Sequence, residues 1–249
     1  MLRLIHIQAK NVFHFSTITS GFCTKAPFRL FNDLNAVKIV GTLISDSHQL
    51  QSGAQQFTVK TFDTEDRYSN HTIRVKTKAN FTAGQRVFVQ GKLISTGRKL
   101  SDEKSITTTT IFGEKIFHLE NECGGERDEN SVSIVANVAT DVKMREKDCS
   151  FNVVTHFSKE NETGENERQS TFHHVLAFDS GVRNYIENNL SKSDRVVICG
   201  RIGHMTYTND DDGRKAYSGF IVAESISKIQ RRAKSQAEST DNEKIKEEN

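Results

Sequence analysis

The sequence predicts an all-β protein made of two similar halves, and two observations support that prediction. Segments of alternating apolar and polar residues, such as FTVKTF at residues 57–62, are separated by clusters of Gly, Asn, Asp and Ser. Such alternation is typical of strands with one buried face. The order of the segments also repeats, because residues 35–43 read like residues 130–138. A duplicated β-domain explains both observations.

Each half contains five predicted strands. The fourth strands match most closely, since RVFVQG at residues 86–91 recurs as RVVICG at residues 195–200. Glycine permits a sharp bend at a barrel corner because it has no Cβ. Five strands in about 85–100 residues fit a five-stranded Greek-key barrel, so we predict two tandem OB-fold barrels. The strands are predicted at residues 35–43, 57–62, 72–76, 83–93 and 106–119, and at residues 130–138, 151–155, 171–178, 192–202 and 218–229.

A short helix is predicted in the second half only. Between its third and fourth strands, Val182, Tyr185, Ile186 and Leu190 recur at helical spacing, which predicts an amphipathic helix that caps this barrel. The first half has only residues 77–82 at the same place, too few for that helix.

The net charge of +2 hides five segments of different character. Residues 1–30 are basic, acid-free and alternately apolar, as in mitochondrial transit peptides; an ordinary N-terminal arm is the alternative. Residues 31–119 form a basic first OB domain, and residues 130–230 form a slightly acidic second one. Residues 120–129 (ENECGGERDE) are an acidic linker that we expect to separate the barrels flexibly. The charged tail, residues 231–249, has the low hydrophobicity of disordered chains.

Several classes of protein are disfavoured. No apolar run approaches the ~18 residues of a membrane-spanning helix, so no membrane insertion is expected. The four cysteines form no CxxC pair and do not cluster with histidine, which disfavours a disulfide framework and a zinc site. His173 and His174 also lack companions at metal-ligand spacing. We find no nucleophile–base–acid constellation, and therefore expect no enzyme, no metal and no cofactor.

Four segments of the second half resemble a known family. They are NSVSIV at 130–135, FNVVT at 151–155, STFHHVLAF at 170–178 and SDRVVICGRI at 193–202. In this order they resemble the bacterial and mitochondrial single-stranded-DNA-binding proteins, which usually have Trp-His in place of Phe172-His173. The chain contains no tryptophan. The first half resembles the family more weakly, with Asn70-His71-Thr72 in the corresponding stretch.

The resemblance implies a set of nucleic-acid-binding residues. Phe172, Phe178 and Tyr207 match the positions where family members stack bases, and Phe157 lies near another. Phe172 and Phe178 also fit the core side of an alternating strand, and that alternative stays open. The matching histidine of the family lies at a subunit contact, which implies an interface role for His173. Candidate phosphate contacts are Arg183, Arg201, Arg214 and Lys215 in the second half, and Lys60, Arg74, Lys76, Lys78 and Lys92 in the first.

The cations of the first half suggest a division of labour. Residues 74, 76 and 78 alternate, so a regular strand would present all three on one face, where they serve either as a phosphate rail or as an ordinary solvated face. Since the family's aromatic residues occur in the second half, we hypothesise that the first barrel supplies mainly charge and the second mainly stacking.

The resemblance also implies a function and an assembly. Family members bind single-stranded DNA and assemble four OB domains, so two domains per chain imply a homodimer. The expected role is protection of DNA during replication in the mitochondrial matrix, alongside replication proteins. Two alternatives stay open: a mitochondrial RNA-binding module, and a paralogue that acts as a protein-interaction or assembly subunit.

Overall fold

A computed structural model describes residues 33–77, 79–99, 105–119, 127–160, 166–208 and 215–229, and all of these belong to one compact unit. The predicted transit peptide and the charged tail lie outside the described residues, as do Lys78, Arg214 and residues 120–126 of the linker. Within the described ranges, no helix is both long enough and apolar enough to cross a membrane.

The predicted all-β class is confirmed, with a single helix among the described residues. The elements are β1 (Leu34–Leu43), β2 (His48–Gln49), β3 (Gln55–Thr64), β4 (Arg67–Val75), β5 (Arg86–Lys99), β6 (Ser105–Leu119), β7 (Glu129–Val138), β8 (Lys143–Met144), β9 (Cys149–Glu160), β10 (Asn166–Ala177), α1 (Ser180–Asn189), β11 (Arg195–Thr208) and β12 (Lys215–Lys228). The helix lies between β10 and β11, as its apolar spacing predicts. It begins after Asp179, whose carboxylate accepts a hydrogen bond of 3.0 Å from Val182 N.

Each half closes into a ring of five strands. In the first, β1 pairs with β3 and β5, β3 pairs with β4, and β5 pairs with β6. A parallel pairing of β4 with β6 closes this ring. The second half repeats the pattern through β7, β9, β10, β12 and β11, with β10 parallel to β12. Apolar side chains at alternate strand positions fill both interiors and form one connected core.

Two glycines allow equivalent bends in the two rings. The pairing of β5 with β6 shifts register at Gly91, and that of β11 with β12 shifts at Gly200. A Cβ at Gly91 would overlap the carbonyl oxygen of Phe112, and one at Gly200 would overlap that of Val222. Only glycine therefore fits at either position without displacing a backbone.

The two halves join directly through β1 and β7. These strands pair antiparallel from Leu34 opposite Val135 to Val40 opposite Glu129, and the pair Val37–Val132 is central. One continuous sheet of twelve strands results. The expected flexible separation of the barrels is therefore wrong. The physical reason is that β1 and β7 each have an open edge, and two equivalent open edges satisfy one another's backbone groups.

Candidate nucleic-acid interface

Two symmetric ion pairs fix the halves against one another, and the first is made by Asp33. Its Oδ1 lies 2.7 Å from Arg195 at the start of β11, and its Oδ2 accepts a hydrogen bond of 2.7 Å from the backbone N of His156 in β9. Asp33 thus reaches from the edge of β1 to two strands of the other half.

The second ion pair mirrors the first. Asp128 precedes β7, and its Oδ1 lies 2.7 Å from Arg86 at the start of β5. Its Oδ2 accepts a hydrogen bond of 2.7 Å from the backbone N of Phe62 in β3. Charge-assisted bonds of this kind, largely shielded from water, fix the orientation of the halves and of the hairpins that carry the exposed residues.

Each half contributes one buried histidine to the joint between the halves. His71 bonds to Thr61 at 2.9 Å and lies 3.3 Å from His204 of the second half. His173 bonds to Thr155 at 2.9 Å and lies 3.3 Å from the Ser95 hydroxyl of the first half. His173 therefore lies between the two halves of one chain. Its expected role at a contact between subunits stays a prediction.

Burial keeps both histidines neutral. Burial, together with a smaller contribution from the nearby His204, lowers the pKa of His71 to about 3. Burial alone lowers the pKa of His173 to about 4. Within the part of the chain that the structure describes, no three His, Cys, Asp or Glu side chains are arranged to hold a metal ion.

The second half exposes two of the predicted stacking residues. Phe172 lies on the outer face of β10 opposite Val154 and is 57% exposed, and Phe178 directly follows the strand and is 49% exposed. Neither is a core residue, so the alternative that both side chains pack in the core is wrong. Phe157 is partly buried in β9. The backbone of Tyr207 lies in β11, but its side chain and that of Lys215 are outside the described set.

Two predicted phosphate contacts of the second half are engaged with protein groups. Arg201 lies 3.0 Å from Asp63 of the first half and 3.5 Å from Glu224. The Nη2 of Arg183 in α1 donates to the backbone oxygen of Arg145 at 2.7 Å. These bonds give both guanidinium groups a structural role. The pairs could not be predicted from sequence patterns, because the acceptors lie far away in the sequence.

The regular strand that the predicted rail at residues 74, 76 and 78 requires ends at Val75. Lys76 therefore lies beyond the regular alternation, and residue 78 is outside the described set. Arg74 instead donates from Nε to Gln56 on the neighbouring strand at 2.7 Å. Lys92 is half-exposed and pairs with the half-exposed Glu114 at 2.7 Å.

Sequence reasoning missed exposed aromatic residues in the first half. Phe62 and Tyr68 are 47% and 55% exposed, and their ring centroids are 6.2 Å apart. The ammonium of Lys60 lies 4.4 Å from the Phe62 centroid and 4.2 Å from that of Tyr68. The signal was present in the alternation: residues 57, 59 and 61 point inward, which places residues 60 and 62 on the outer face.

A separate apolar patch lies beside the joint of the halves. Val40 pairs with Phe88, and Phe88 pairs with Phe117, whose side chain is 55% exposed. The two rings are 6.0 Å apart. A cavity of about 400 Å³ is lined by Val40, Phe88, Phe117, Leu119, Arg127 and Glu129.

The family comparison matches the second half. Residues 129–229 match the model of the single-strand binding protein family. A curated relative, the mitochondrial single-stranded DNA-binding protein of Drosophila melanogaster, is 26% identical over 133 residues, which cover 52% of this chain and 84% of the fly protein.

The structural comparison extends to both halves. The crystal structure of wild-type single-stranded DNA binding protein from Thermus aquaticus has a TM-score of 0.53 and 18% identity, and the match covers 82% of this chain and 96% of that one. A deletion mutant of the same bacterial protein matches with the same TM-score and identity. A match over 82% of the chain must include most of both rings, so both share this fold. Residues 129–229 are therefore similar to the single-strand binding protein family, and the chain has the SSB-type OB fold.

Proposed function

We propose that the protein binds single-stranded DNA without sequence preference and protects it during DNA replication in mitochondria. The observation that carries the proposal is Phe172, a large aromatic side chain 57% exposed on a strand of the family-matched region. Aromatic rings stack on bases for about 1–3 kcal/mol per base, with little preference among bases. The fly relative, whose name specifies a mitochondrial single-stranded DNA-binding protein, supports both the ligand and the compartment.

The proposed site combines Phe172 and Phe178 with cations that are free to turn towards a phosphate. The exposed Lys76 and the surface pair of Lys92 with Glu114 meet that condition, since a half-exposed ion pair contributes little and is readily exchanged. Arg183 and Arg201 are assigned a structural role instead, because their guanidinium groups are bonded to protein acceptors. Binding should therefore weaken with salt, because each neutralised phosphate releases counterions.

A competition experiment tests this function. Unlabelled single-stranded DNA, RNA and duplex DNA compete with a labelled oligothymidine for the full chain at two salt concentrations. Single-stranded DNA should compete best, and Phe172→Leu should weaken binding about 5- to 100-fold, because leucine keeps apolar contact but has no ring to stack. Ile44→Ala is the control, since this side chain is also about half exposed but lies outside the proposed site.

Each other outcome has a clear meaning. Stronger competition by RNA would favour the RNA-binding alternative. Absence of binding to every nucleic acid would reject the proposal and favour a protein-interaction role.

We also propose that two chains form a homodimer with four OB rings. The partly exposed Phe88 and the exposed Phe117 support this assembly, because neighbouring apolar side chains at the surface mark contact surfaces. The mass of the full chain in solution should be that of a dimer, and Phe117→Lys should yield monomers. A monomeric wild type, or an assembly of four chains, would contradict the proposal.

Import into the mitochondrial matrix is testable separately. The full chain fused to a fluorescent protein should enter mitochondria, whereas residues 31–249 with the same fusion should stay outside. Equal distributions would reject a leader function for residues 1–30.

A further inference from the structure

The outer face of the β3–β4 hairpin in the first half presents aromatic and basic side chains together. Lys60 lies opposite Asn70, and Phe62 lies opposite Tyr68. Residues two apart in a strand point to the same side, so these four side chains share one face. That face is the outward one, because the alternate residues of both strands are buried.

The aromatic pair has the properties of a stacking surface. The rings of Phe62 and Tyr68 are inclined by 63° with centroids 6.2 Å apart, so they do not cover one another face to face. About half of each side chain stays exposed even with the Lys60 ammonium above the rings. This ammonium is held next to the rings, where it can donate to a phosphate of the nucleotide that stacks there.

The same face continues towards the other end of the ring. Arg74 lies six residues from Tyr68 on β4, which corresponds to about 20 Å at about 3.3 Å per residue. Beside it, on the parallel strand β6, Phe112 is 43% exposed, and Lys92 lies beyond Phe112 on β5. We call these residues the first-half strip: Lys60, Phe62, Tyr68, Arg74, Phe112 and Lys92.

Acidic residues lie at the end of the strip that is nearest the turn between β3 and β4. The end of β3 contains Asp63, and the turn after it contains Glu65 and Asp66. Asp63 is neutralised by Arg201 at 3.0 Å, whereas Glu65 and Asp66 are exposed. A phosphate backbone is repelled by these two carboxylates, so a bound strand should leave the protein before the turn.

The strip is not a copy of the second-half site. Position 70, equivalent in register to Phe172, is an asparagine, while His156 and Ser170 occupy the second-half positions equivalent to Phe62 and Tyr68. The family model does not extend to the first half. The aromatic residues of the two halves therefore occupy different places on the same framework.

From these contacts we infer that the first half binds single-stranded nucleic acid through its own stacking site, at Phe62 and Tyr68, with Lys60, Arg74 and Lys92 as phosphate contacts and Phe112 as a second stacking residue. The inference rests on the proposed function, since it adds a second contact surface for the same strand. A stacking site in the first half differs from the earlier hypothesis, in which the first barrel supplies mainly charge.

Ultraviolet crosslinking to the full chain separates this inference from the proposed function. An oligothymidine long enough to cross both halves is irradiated with the protein, and attached peptides are identified by mass spectrometry. Crosslinks are expected at Phe172 and, independently, at Phe62 or Tyr68. Crosslinks at Phe172 alone overturn the inference and leave the proposed function standing, whereas the absence of crosslinks at both overturns both.

A substitution series measures the contribution of the strip. Phe62→Leu with Tyr68→Leu keeps apolar surface but removes both rings, and should lower affinity for the same oligothymidine about 10-fold. Ile44→Ala, which shortens a similarly exposed apolar side chain (48% exposed) outside the strip, should leave affinity unchanged. Unchanged affinity in the double variant, with folding verified by its thermal transition, overturns the inference. An equal loss in the control does the same, because the effect then does not belong to the strip.

Discussion

The two halves of the chain share a framework but expose different surfaces. Both rings contain a glycine at the register shift, an aspartate that reaches an arginine of the other half, and a buried histidine at the joint. Their outer faces differ: Phe172 faces solvent in the second half, whereas Asn70 occupies that position in the first. The shared residues close the rings and hold them together, so a substitution there acts on the fold. The differing residues can change ligand contacts at little structural cost.

The shared glycines should give the largest effect. Gly91→Ala and Gly200→Ala should each lower the free energy of unfolding by about 3 kcal/mol, because a Cβ meets backbone oxygen that cannot move without breaking the ladder. Urea unfolding of the full chain measures this loss. Gly97→Ala is the matched control in β5, where an added Cβ meets nothing within 4 Å. If Gly91→Ala cost no more than the control, the claim of equivalent bends would be wrong.

Substitution of the two aspartates that join the halves should give the second-largest loss of stability. Asp33→Asn and Asp128→Asn each remove the charge that holds an arginine and a backbone amide, and should cost about 2 kcal/mol, because the carboxylates are only 11% and 10% exposed. Equal losses in urea unfolding would confirm that the joint is symmetric. Asp148→Asn offers a weaker, more exposed pair as control. A loss of stability in only one of the two variants would show that the two ion pairs are not equivalent.

The buried histidines should make stability depend on pH. Their folded pKa values, about 3 for His71 and about 4 for His173, lie below the ordinary 6.5, so both are neutral when folded. Their neutral form favours folding fully above pH 6.5, and stability falls as the pH drops towards these values. Each histidine contributes a slope of up to about 1.4 kcal/mol per pH unit in that range. His71→Gln and His173→Gln should each reduce the slope, measured by urea unfolding between pH 4 and 7, and an unchanged slope would contradict their burial.

Much of the framework could be predicted from the sequence, since local alternation encodes it. The spacing of Val182, Tyr185, Ile186 and Leu190 placed the helix in the second half only, where α1 is found. The union of β1 with β7 could not be predicted in the same way. An open strand edge consists of backbone groups common to every residue, and alternation does not record which partner satisfies them.

The site was predicted less completely, for two physical reasons. The sequence predicts Arg201 as a phosphate contact, but its guanidinium forms an ion pair with Asp63 at the end of β3 in the other half. Phe62 and Tyr68 were missed because the resemblance directs attention to matched positions, although the parity of β3 already assigns Phe62 to solvent. Phe172 was predicted from the resemblance alone, since the alternation left open whether it faces the core or solvent.

The smallest effect should come from making the first half more like the second. Asn70→Phe places a ring at the position of Phe172, beside Lys60 and two residue pairs from Phe62 and Tyr68. If that face already carries nucleic acid, the added ring should raise oligothymidine affinity several-fold, about 1 kcal/mol, at the low end of one stacked base. Asn70→Leu is the control, since it adds apolar surface without a ring. A gain shared by both variants would indicate hydrophobic contact rather than stacking, and no gain in either would show that bound strands do not pass over this part of the hairpin. A gain confined to Asn70→Phe would mean that the two halves differ in where they hold their aromatic residues, and not in whether they use them.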